Sequence, residues 1–527
     1  MANEQINGTM LQGFSWNLPA DGQHWRRLGQ MAPRLLSDGI TSVWMPPAYK
    51  GQAGINDVGY GVYDTWDLGE FDQKGTVPTK YGTRREYAAA VIALREAGID
   101  VLGDIVLNHR MGADECEDLM ARQVASDNRL SDLGDLEPIS AWTKFTFPGR
   151  NGELDDFTWD WHNFKGVDYD AKGERGGVWL FEGKSWDSDV SQEQGNFDYL
   201  MGVDVDLHDP EVYDQLVKWG KWYLDVTGVD GFRLDAVKHM SREFYLRWLA
   251  DMREYASEEL FCVGEYWSPS AEELKAYLGE EQAMSLFDVP LHFAFYQASV
   301  DREHIDFSHM LDGAFVTADP VHAVTFVENH DTQPNQALES TVQPWFKPVA
   351  YSIVLLREAG YPCVFFADLF GLPNDAIPAV AELPLLMEVR RRFAYGTQHD
   401  YLDEPDLAGW TREGGTSHGS TGVAVVLNNR AIPEDDPTVM IDAQAEDGAQ
   451  EEPVEAPQAQ PWPTKRMYVG AAHAGETWRC VLGDVVDVTI GEDGNGDFPA
   501  AASSMVAVYL PEEAAAKLDH IPIVMTS

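Results

Sequence analysis

The chain is long and strongly acidic, and these totals exclude several classes of protein. It has 527 residues, more than one hydrophobic core usually organises, so we expect two or three domains. With 87 acidic against 38 basic residues and a formal net charge of -49, the balance argues against nucleic acids and anionic membranes as partners. No apolar run reaches the ~18 residues that a membrane-spanning helix needs.

The cysteines and the first residues bear on the compartment. The four cysteines lie far apart without CxxC spacing, so we expect free thiols and no disulfide or zinc site. The opening MANEQINGTMLQGFSW lacks the basic and apolar regions of a secretory signal. Both features favour a cytoplasmic protein. The acidity leaves two interpretations open, adaptation to high salt or a general preference for acidic, soluble proteins.

Apolar runs rich in β-formers alternate with amphipathic helices along most of the chain. The predicted strands are 10–16, 41–49, 100–109, 231–237, 260–267, 287–295, 323–331 and 363–370. The predicted helices include 25–36, 84–97, 211–226 and 242–255. Asp209-Pro210 before the third helix and Gly228 after it are typical of a helix start and stop. Eight such alternations predict an α/β fold, a parallel (β/α)₈ barrel.

Two stretches depart from the alternation and predict further domains. Residues 109–210 are polar and rich in Trp, Asp and Gly, without a helical period, which predicts a lobe inserted after the third strand. Residues 401–527 contain short period-two strands and predict a C-terminal antiparallel β-sandwich domain, with an acidic loop near 442–463. The catalytic barrel is then expected to comprise residues 1–108 and 211–400.

Polar, ionisable residues stand at the ends of four apolar strands, where a barrel gathers its active site. These are Asp104 with Asn108 and His109, Arg233 with Asp235, Glu265, and His330 with Asp331. An arginine two residues from Asp235 favours its ionised form, whereas the apolar run before Glu265 disfavours ionisation. Carboxylates in opposed environments are typical of a nucleophile and a general acid. For Asp104, bracing of Arg233 is an equally good interpretation.

Four sequence blocks carry a family resemblance. DIVLNH (104–109), GFRLDAVKH (231–239), VGEYW (263–267) and FVENHD (326–331) resemble, in this order, the four blocks of the α-amylase family, glycoside hydrolase family 13. DVGYGVYDTWDLGEF (57–71) and KRMYVG (465–470) are similar to stretches of bacterial liquefying and cytoplasmic α-amylases. The resemblance spans almost the whole chain. It implies retaining endo-hydrolysis of internal α-1,4-glucosidic bonds in starch, glycogen or maltodextrins.

The resemblance also implies a role for each matching residue. Asp235 would be the nucleophile, Glu265 the general acid and base, and Asp331 a third carboxylate that binds the distorted sugar and helps to keep Glu265 protonated. The residues expected to bind substrate are Tyr60, His109, Arg233, Lys238, His239 and His330. The partner would be an α-glucan, and the oligomeric state is left open.

A calcium site is implied in the same way. Asn108, Asp198, Asp204 and the carbonyl oxygen of His239 match the family site that joins the lobe to the barrel. Liquefying relatives extend this site into a cluster of metals with further aspartates, and Asp187 and Asp206 fit that pattern. Lys165, however, stands where those relatives have an aspartate, and its ammonium group would repel a cation. His208 likewise stands where an acidic residue is usual, so we expect one calcium ion and no cluster.

Three other functions are compatible with parts of this pattern. Within the family, an exo-acting enzyme that forms maltooligosaccharides and a transglycosylase share the same four blocks. A non-catalytic glycan-binding protein is a weaker alternative, because such proteins typically lose one of the three carboxylates, and all three are present here.

Overall fold

The computed structural model describes residues 7–372, 377–415, 421–430, 463–501 and 505–518. The acidic loop expected near 442–463 lies outside these residues, apart from Pro463. The helices of the described part are α1 His24–Ser37, α2 Arg84–Glu96, α3 Pro210–Thr227, α4 Arg242–Ala256, α5 Ala271–Leu278, α6 Val289–Val300, α7 Phe315–Ala318, α8 Lys347–Leu356, α9 Phe366–Phe370, α10 Leu383–Arg392 and α11 Glu512–Ala515.

The strands of the same residues form a barrel and several antiparallel sheets. In chain order they are β1 Met10–Gln12, β2 Ser42–Met45, β3 Lys50–Gly51, β4 Val62–Asp64, β5 Asp100–Ile105, β6 His109–Arg110, β7 Glu115–Val124, β8 Glu137–Lys144, β9 Phe164–Asp170, β10 Arg175–Phe181, β11 Val203–Val205, β12 Gly231–Leu234, β13 Phe261–Gly264, β14 Ser285–Phe287, β15 Ala323–Phe326, β16 Tyr361–Phe365, β17 Gln398–Tyr401, β18 Leu407–Arg412, β19 Val423–Asn428, β20 Thr464–Tyr468, β21 Thr477–Leu482, β22 Val488–Thr489, β23 Asn495–Pro499 and β24 Val506–Pro511.

Eight parallel strands close into a barrel in the order β1-β16-β15-β14-β13-β12-β5-β2. Seven of them coincide with predicted strands, and all eight are buried along most of their length. Burial on both faces explains why these strands are almost continuously apolar. The four sequence blocks therefore end the third, fourth, fifth and seventh barrel strands, β5, β12, β13 and β15, as expected. The predicted fold class is confirmed.

The prediction for the sixth strand was wrong. The apolar run predicts a strand over 287–295, whereas β14 ends at Phe287 and α6 begins at Val289. The carboxylate of Asp288 caps this helix by accepting a hydrogen bond from the Leu291 amide, and Pro290 occupies the first turn. The helix is buried along much of its length, so its apolar sequence resembles that of a buried strand.

Helix α3 begins and ends as its sequence predicts. Asp209 accepts hydrogen bonds from the amides of Glu211 and Val212, and Pro210 follows in the first turn. Gly228 ends the helix in the left-handed conformation at φ 68°. Because α3 leads directly into β12, these caps help to determine where the residues of β12 enter the barrel.

The lobe between β5 and α3 contains a six-stranded sheet in the order β6-β11-β9-β10-β7-β8. Beyond the barrel, β17, β18, β19, β24, β21 and β22 form a second antiparallel sheet, and β20 pairs with β23 beside it. Their side chains enclose a separate apolar core around Trp478 and Phe498. These positions fit the expected domains, whose boundaries remain a prediction. None of the described helices is long and apolar enough to cross a membrane.

Candidate active site

One buried arginine connects three carboxylates at the mouth of the barrel. The guanidinium of Arg233 donates from Nη1 to Asp104 Oδ1 at 2.9 Å and to Asp235 Oδ1 at 2.6 Å. Its Nη2 donates to Glu265 Oε2 at 2.6 Å. Arg233 and Asp104 are fully buried, and Asp235 and Glu265 are each only 7% exposed. The arginine therefore binds two of the three predicted catalytic residues, Asp235 and Glu265, together with Asp104, which braces it.

Barrel register brings Asp235 and Glu265 side by side. Strands β12 and β13 are parallel neighbours, with Leu234 opposite Gly264, so the two carboxylates follow at equivalent positions. The amide of Glu265 donates to the carbonyl of Leu234 at 2.9 Å, which continues the pairing past the strand ends. Adjacent strands lie about 4.8 Å apart, so their end residues share one opening.

Burial gives the carboxylates at this opening unusual proton affinities. Desolvation, together with the negative charges of Asp235 and Asp331, raises the pKa of Glu265 to about 8 against the opposing effect of Arg233. Burial likewise raises the pKa of Asp331 to about 7 and that of Asp104 to about 6. A carboxyl group with the affinity of Glu265 is protonated at neutral pH and is able to donate a proton.

His330 is held between a glutamine and the third predicted carboxylate. Gln12 Nε2 on β1 donates to His330 Nδ1 at 2.9 Å, and His330 Nε2 lies 3.2 Å from Asp331 Oδ2. Burial and the charge of Arg233 lower the pKa of His330 well below its usual value, so the ring is neutral. With Nδ1 accepting from Gln12, the ring proton is on Nε2, which lies near Asp331 but makes no hydrogen bond of good geometry with it.

Aromatic rings line the opening on one side. Tyr60 stacks on His330 with ring centroids 5.0 Å apart, and Trp16 stacks on both rings at 6.1 and 5.9 Å. The Tyr60 hydroxyl donates to Asp104 Oδ2 at 2.7 Å, and Trp44 Nε1 donates to the same oxygen at 2.9 Å. The ring of Tyr60 is thus held in one orientation, because its hydroxyl group binds Asp104, which in turn binds Arg233.

The remaining predicted substrate residues lie on the loops around this opening. His109 Nε2 donates to the carbonyl of Tyr60 at 2.9 Å, and His239 Nδ1 donates to the carbonyl of Phe197 at 2.8 Å. Burial lowers the pKa of His239 to about 3 and also lowers that of His109, so both rings are neutral. Lys238 Nζ donates to Glu193 at 3.1 Å and to the carbonyl of Trp267 at 2.8 Å.

The predicted calcium ligands lie at the junction of lobe and barrel, beside a lysine. Asn108, Asp198 and Asp204 are all nearly fully buried. Lys165 Nζ lies 2.5 Å from Asp198 Oδ2 and 3.3 Å from Asp204 Oδ2. Among the described residues, no group of three or more His, Cys, Asp or Glu side chains is arranged to hold a metal ion.

The same junction keeps unbalanced negative charge that suits one cation. Asp204 Oδ2 is buried, and its contact with Lys165, at 3.3 Å, is the longest of the three ion pairs of that lysine. Burial raises the pKa of Asp198 to about 6 and that of Asp204 well above its usual value, so a single lysine does not fully stabilise their ionised forms. Two carboxylates, the amide of Asn108 and the carbonyl of His239 are hard oxygen donors of the kind calcium prefers. The residues therefore fit one calcium ion.

Several residues of the site were not identified from the sequence. Gln12 is the last residue of β1, Trp16 lies on the loop that follows it, and Trp44 lies on β2. Glu193 contacts Lys238 from the lobe. The sequence signal for Gln12 is a polar side chain at the end of an otherwise apolar strand. The aromatic residues and Glu193 have no local signal, because their neighbours come from distant parts of the chain.

Comparison with known families and proteins finds similarity to α-amylases. Residues 35–382 match the family profile "Alpha amylase, catalytic domain". The chain is 43% identical to an α-amylase of Bacillus licheniformis, over 97% of this chain and 94% of the relative. It is 44% identical to a glucan 1,4-α-maltohexaosidase of Bacillus sp. strain 707, over 95% and 92%. It is 38% identical to a cytoplasmic α-amylase of Escherichia coli K12, over 96% and 99%.

The fold also occurs among solved structures. An α-amylase of Geobacillus thermoleovorans, in complex with acarbose, superposes with a TM-score of 0.59 and covers 96% of this chain and 98% of its own. The sequence identity in that superposition is 15%, so this likeness concerns the fold alone.

Proposed function

Since the chain belongs to the α-amylase family, we propose that the carboxylates around Arg233 hydrolyse internal α-1,4-glucosidic bonds of starch-like glucans with retention of configuration. One observation carries this proposal: Arg233 binds Asp235 and Glu265 at once, at 2.6 Å each, on adjacent strands at the barrel mouth. Retaining hydrolysis needs two carboxyl groups only about 5–5.5 Å apart, and neighbouring strands supply such spacing.

In the first step, Asp235 attacks the anomeric carbon while Glu265 protonates the departing glycosidic oxygen. The bond to the leaving sugar breaks, and a covalent bond to Asp235 forms. Arg233 orients Asp235 and stabilises its negative charge before the attack. Glu265 carries the required proton because burial raises its pKa to about 8.

In the second step, Glu265 removes a proton from water, and the water oxygen displaces Asp235 from the anomeric carbon. Asp331 binds hydroxyl groups of the distorted sugar, and its charge favours the protonated form of Glu265. His109, His239 and His330 act as neutral partners of sugar hydroxyls. The face of Tyr60 offers a surface to the C–H groups of the glucose ring.

The experiment that tests this function compares the wild type with Glu265→Gln on soluble starch. General acid–base catalysis contributes about 10²–10⁴-fold, so kcat should fall by at least that factor while the chain stays folded. Glu280→Gln is the matched control, because Glu280 is an exposed glutamate outside the barrel mouth. A Glu265→Gln variant with full activity, or a wild type that releases no reducing ends, would overturn the proposal.

A second candidate, formation of maltooligosaccharides of one length, is favoured by one observation. A relative named glucan 1,4-α-maltohexaosidase is 44% identical over 95% of this chain. The two candidates share the carboxylates and differ in products. Rapid loss of iodine staining with mixed oligosaccharides supports the endo-acting enzyme, whereas one dominant oligosaccharide supports the second candidate. Transglycosylation would appear as products longer than the oligosaccharide supplied.

We also propose that Asn108, Asp198, Asp204 and the carbonyl of His239 hold one calcium ion. Bound there, the ion would supply positive charge that fastens the lobe to the barrel; it takes no part in bond cleavage. The burial of two carboxylates, Asp198 and Asp204, beside the single ammonium group of Lys165 supports this assignment. The test is to measure the calcium bound per chain in the purified wild type and in the Asp204→Asn variant. The substitution should remove the ion and lower the Tm.

The proposed setting is the cytoplasm, with imported maltodextrins or stored glycogen as the substrate. The relative from Escherichia coli whose name includes "cytoplasmic" is 38% identical over 99% of its own length, which supports this setting. Free thiols at all four cysteines agree with a reducing compartment. Recovery of the native protein in the periplasmic or culture fraction of its host would contradict this assignment.

A further inference from the structure

Lys165 is a fully buried cation surrounded by three aspartates. Its Nζ lies 2.5 Å from Asp198 Oδ2, 3.1 Å from Asp187 Oδ2 and 3.3 Å from Asp204 Oδ2. The lysine and all three carboxylates have side chains exposed by no more than 2%. A lysine is almost never this deeply buried unless it is paired, so the three contacts account for its position.

The contacts of Lys165 join segments that are far apart in the chain. Lys165 lies on β9 and Asp204 on β11, while Asp187 and Asp198 lie on the connection from β10 to β11. That connection rests against the loop after β12: the amide of Ser191 donates to the carbonyl of Lys238, and the carbonyl of Phe197 accepts from His239. Lys165 therefore anchors the part of the lobe that touches the barrel mouth.

Neighbouring carboxylates at this junction are also paired with side chains of the protein. His208 Nε2 lies 3.0 Å from Asp187 Oδ1, so both oxygens of Asp187 face nitrogen atoms. Lys184 Nζ lies 2.7 Å from Asp206 Oδ2. Among the described ion pairs, Asp198 and Asp204 have Lys165 as their one cationic partner, whereas Asp187 also has His208.

We propose that the ammonium group of Lys165 is a permanent cation of the lobe–barrel junction, which holds the three aspartates together and limits bound metal there to one divalent ion. Three carboxylates and one ammonium leave two negative charges, which a single divalent ion neutralises. A second ion among the same carboxylates would have to share the oxygen atoms that already face the ammonium group, where repulsion at low dielectric is strong. This proposal rests on the proposed function only for the identity of that single ion.

A covalently attached cation has a consequence for stability. A bound metal leaves when its free concentration falls below its Kd, and the stabilisation then disappears. Lys165 cannot dissociate, so the lobe should stay packed against the barrel when a chelator removes the metal. The wild type should consequently stay folded, with a modest decrease in Tm, in excess chelator.

The test measures bound metal per chain by elemental analysis and Tm with and without EDTA. We expect at most one calcium per wild-type chain after equilibration with calcium and sodium. Lys165→Met leaves the carboxylates without their cation, so its Tm in EDTA should drop by more than about 5 °C relative to the wild type and recover with millimolar calcium.

The Lys165→Asp variant should bind at least one ion more per chain than the wild type. Lys172→Met, at an exposed lysine of the lobe, is the control and should match the wild type.

Two results would overturn the proposal. One is a wild type that binds two or more ions per chain at this junction, since Lys165 would then not limit the metal content. The other is a Lys165→Asp variant with the ion count and the EDTA response of the wild type. The ion count of the wild type decides even if Lys165→Met does not fold. Starch hydrolysis by the wild type is measured in parallel, so failure of the proposed function is distinguished from failure of this inference.

Discussion

At the scale of single residues, Arg233 organises the site through contacts with Asp104, Asp235 and Glu265. A positive charge shared among several buried carboxylates lets them differ in protonation although they lie close together. Glu265 retains a raised pKa despite its contact with Arg233, because the effect of burial is larger. This balance is the physical basis of its proposed role as a proton donor.

The raised pKa of Glu265 predicts the alkaline limit of activity. The first step requires protonated Glu265, so kcat/KM should fall as pH rises through about 8, the pKa of this group. Initial rates on a soluble maltooligosaccharide between pH 5 and 10 measure this limb. A decline that begins near pH 5 would contradict the prediction, because it would place Glu265 at the proton affinity of an exposed carboxyl group.

The contact between Gln12 and His330 leads to a second prediction, for the effect of a single substitution on kcat. Its Nε2 donates to His330 Nδ1 and so determines which ring nitrogen carries the proton that faces Asp331. Gln12→Met keeps the volume but removes the donor, and kcat should decrease about tenfold, corresponding to one hydrogen bond of about 1.4 kcal/mol. Steady-state kinetics measure this change. Unaltered kcat together with unaltered KM would show that Gln12 does not position His330.

At the scale of elements, the caps of α3 couple the lobe to β12. Asp209 accepts from the amides of Glu211 and Val212 at the helix start, directly after the lobe. Sequence alone predicted this cap, because aspartate followed by proline is a local signal of a helix start. The wrong prediction of a strand over 287–295 is the contrasting case. Helix α6 is buried along much of its length, so its apolar sequence has no periodicity that distinguishes a helix from a strand.

The cap yields a prediction for stability. Asp209→Ala removes the acceptor for two amides and should lower the free energy of unfolding by about 1 kcal/mol. Asp214→Ala in the same helix is the control; Asp214 is exposed, and its loss should change stability by less than about 0.5 kcal/mol. Urea denaturation followed by circular dichroism compares the two. Equal destabilisation by both substitutions would mean that the cap contributes nothing beyond ordinary surface effects.

At the scale of the whole molecule, a formal net charge of -49 dominates the electrostatics. Like charges on one folded chain repel each other, and this repulsion destabilises the compact state at low ionic strength. The cation-centred clusters of Arg233 and Lys165 are buried, and salt screens them much less than it screens the surface. Added salt therefore weakens the repulsion more than it weakens these attractions.

The charge predicts that thermal stability rises with salt. Between about 0.05 and 1 M sodium chloride the Debye length shrinks from above 10 Å to about 3 Å, so Tm should increase over this range. Differential scanning calorimetry measures it, with sucrose of equal osmolality as the control for excluded-solute effects. A flat or falling Tm would reject both this prediction and adaptation to high salt.

Local sequence patterns were enough to predict the barrel, the four helices 25–36, 84–97, 211–226 and 242–255, and the candidate catalytic carboxylates. Strand ends, caps and the four sequence blocks are local patterns, and each is complete within about ten residues of chain. For this reason Asp235, Glu265 and Asp331 were identified without a structure, and the fold class, the family and the hydrolytic function were confirmed. Their individual roles remain proposals.

Only the tertiary structure decided which residues share contacts across the chain. Gln12 and His330 are 318 positions apart, and Lys165 is 33 positions from Asp198, yet each pair is in direct contact. Closure of the barrel brings the end of β1 near the loop that follows β15, and folding of the lobe brings β9 against the connection from β10 to β11. No local pattern carries that information, because such contacts depend on how separate elements pack around a common core.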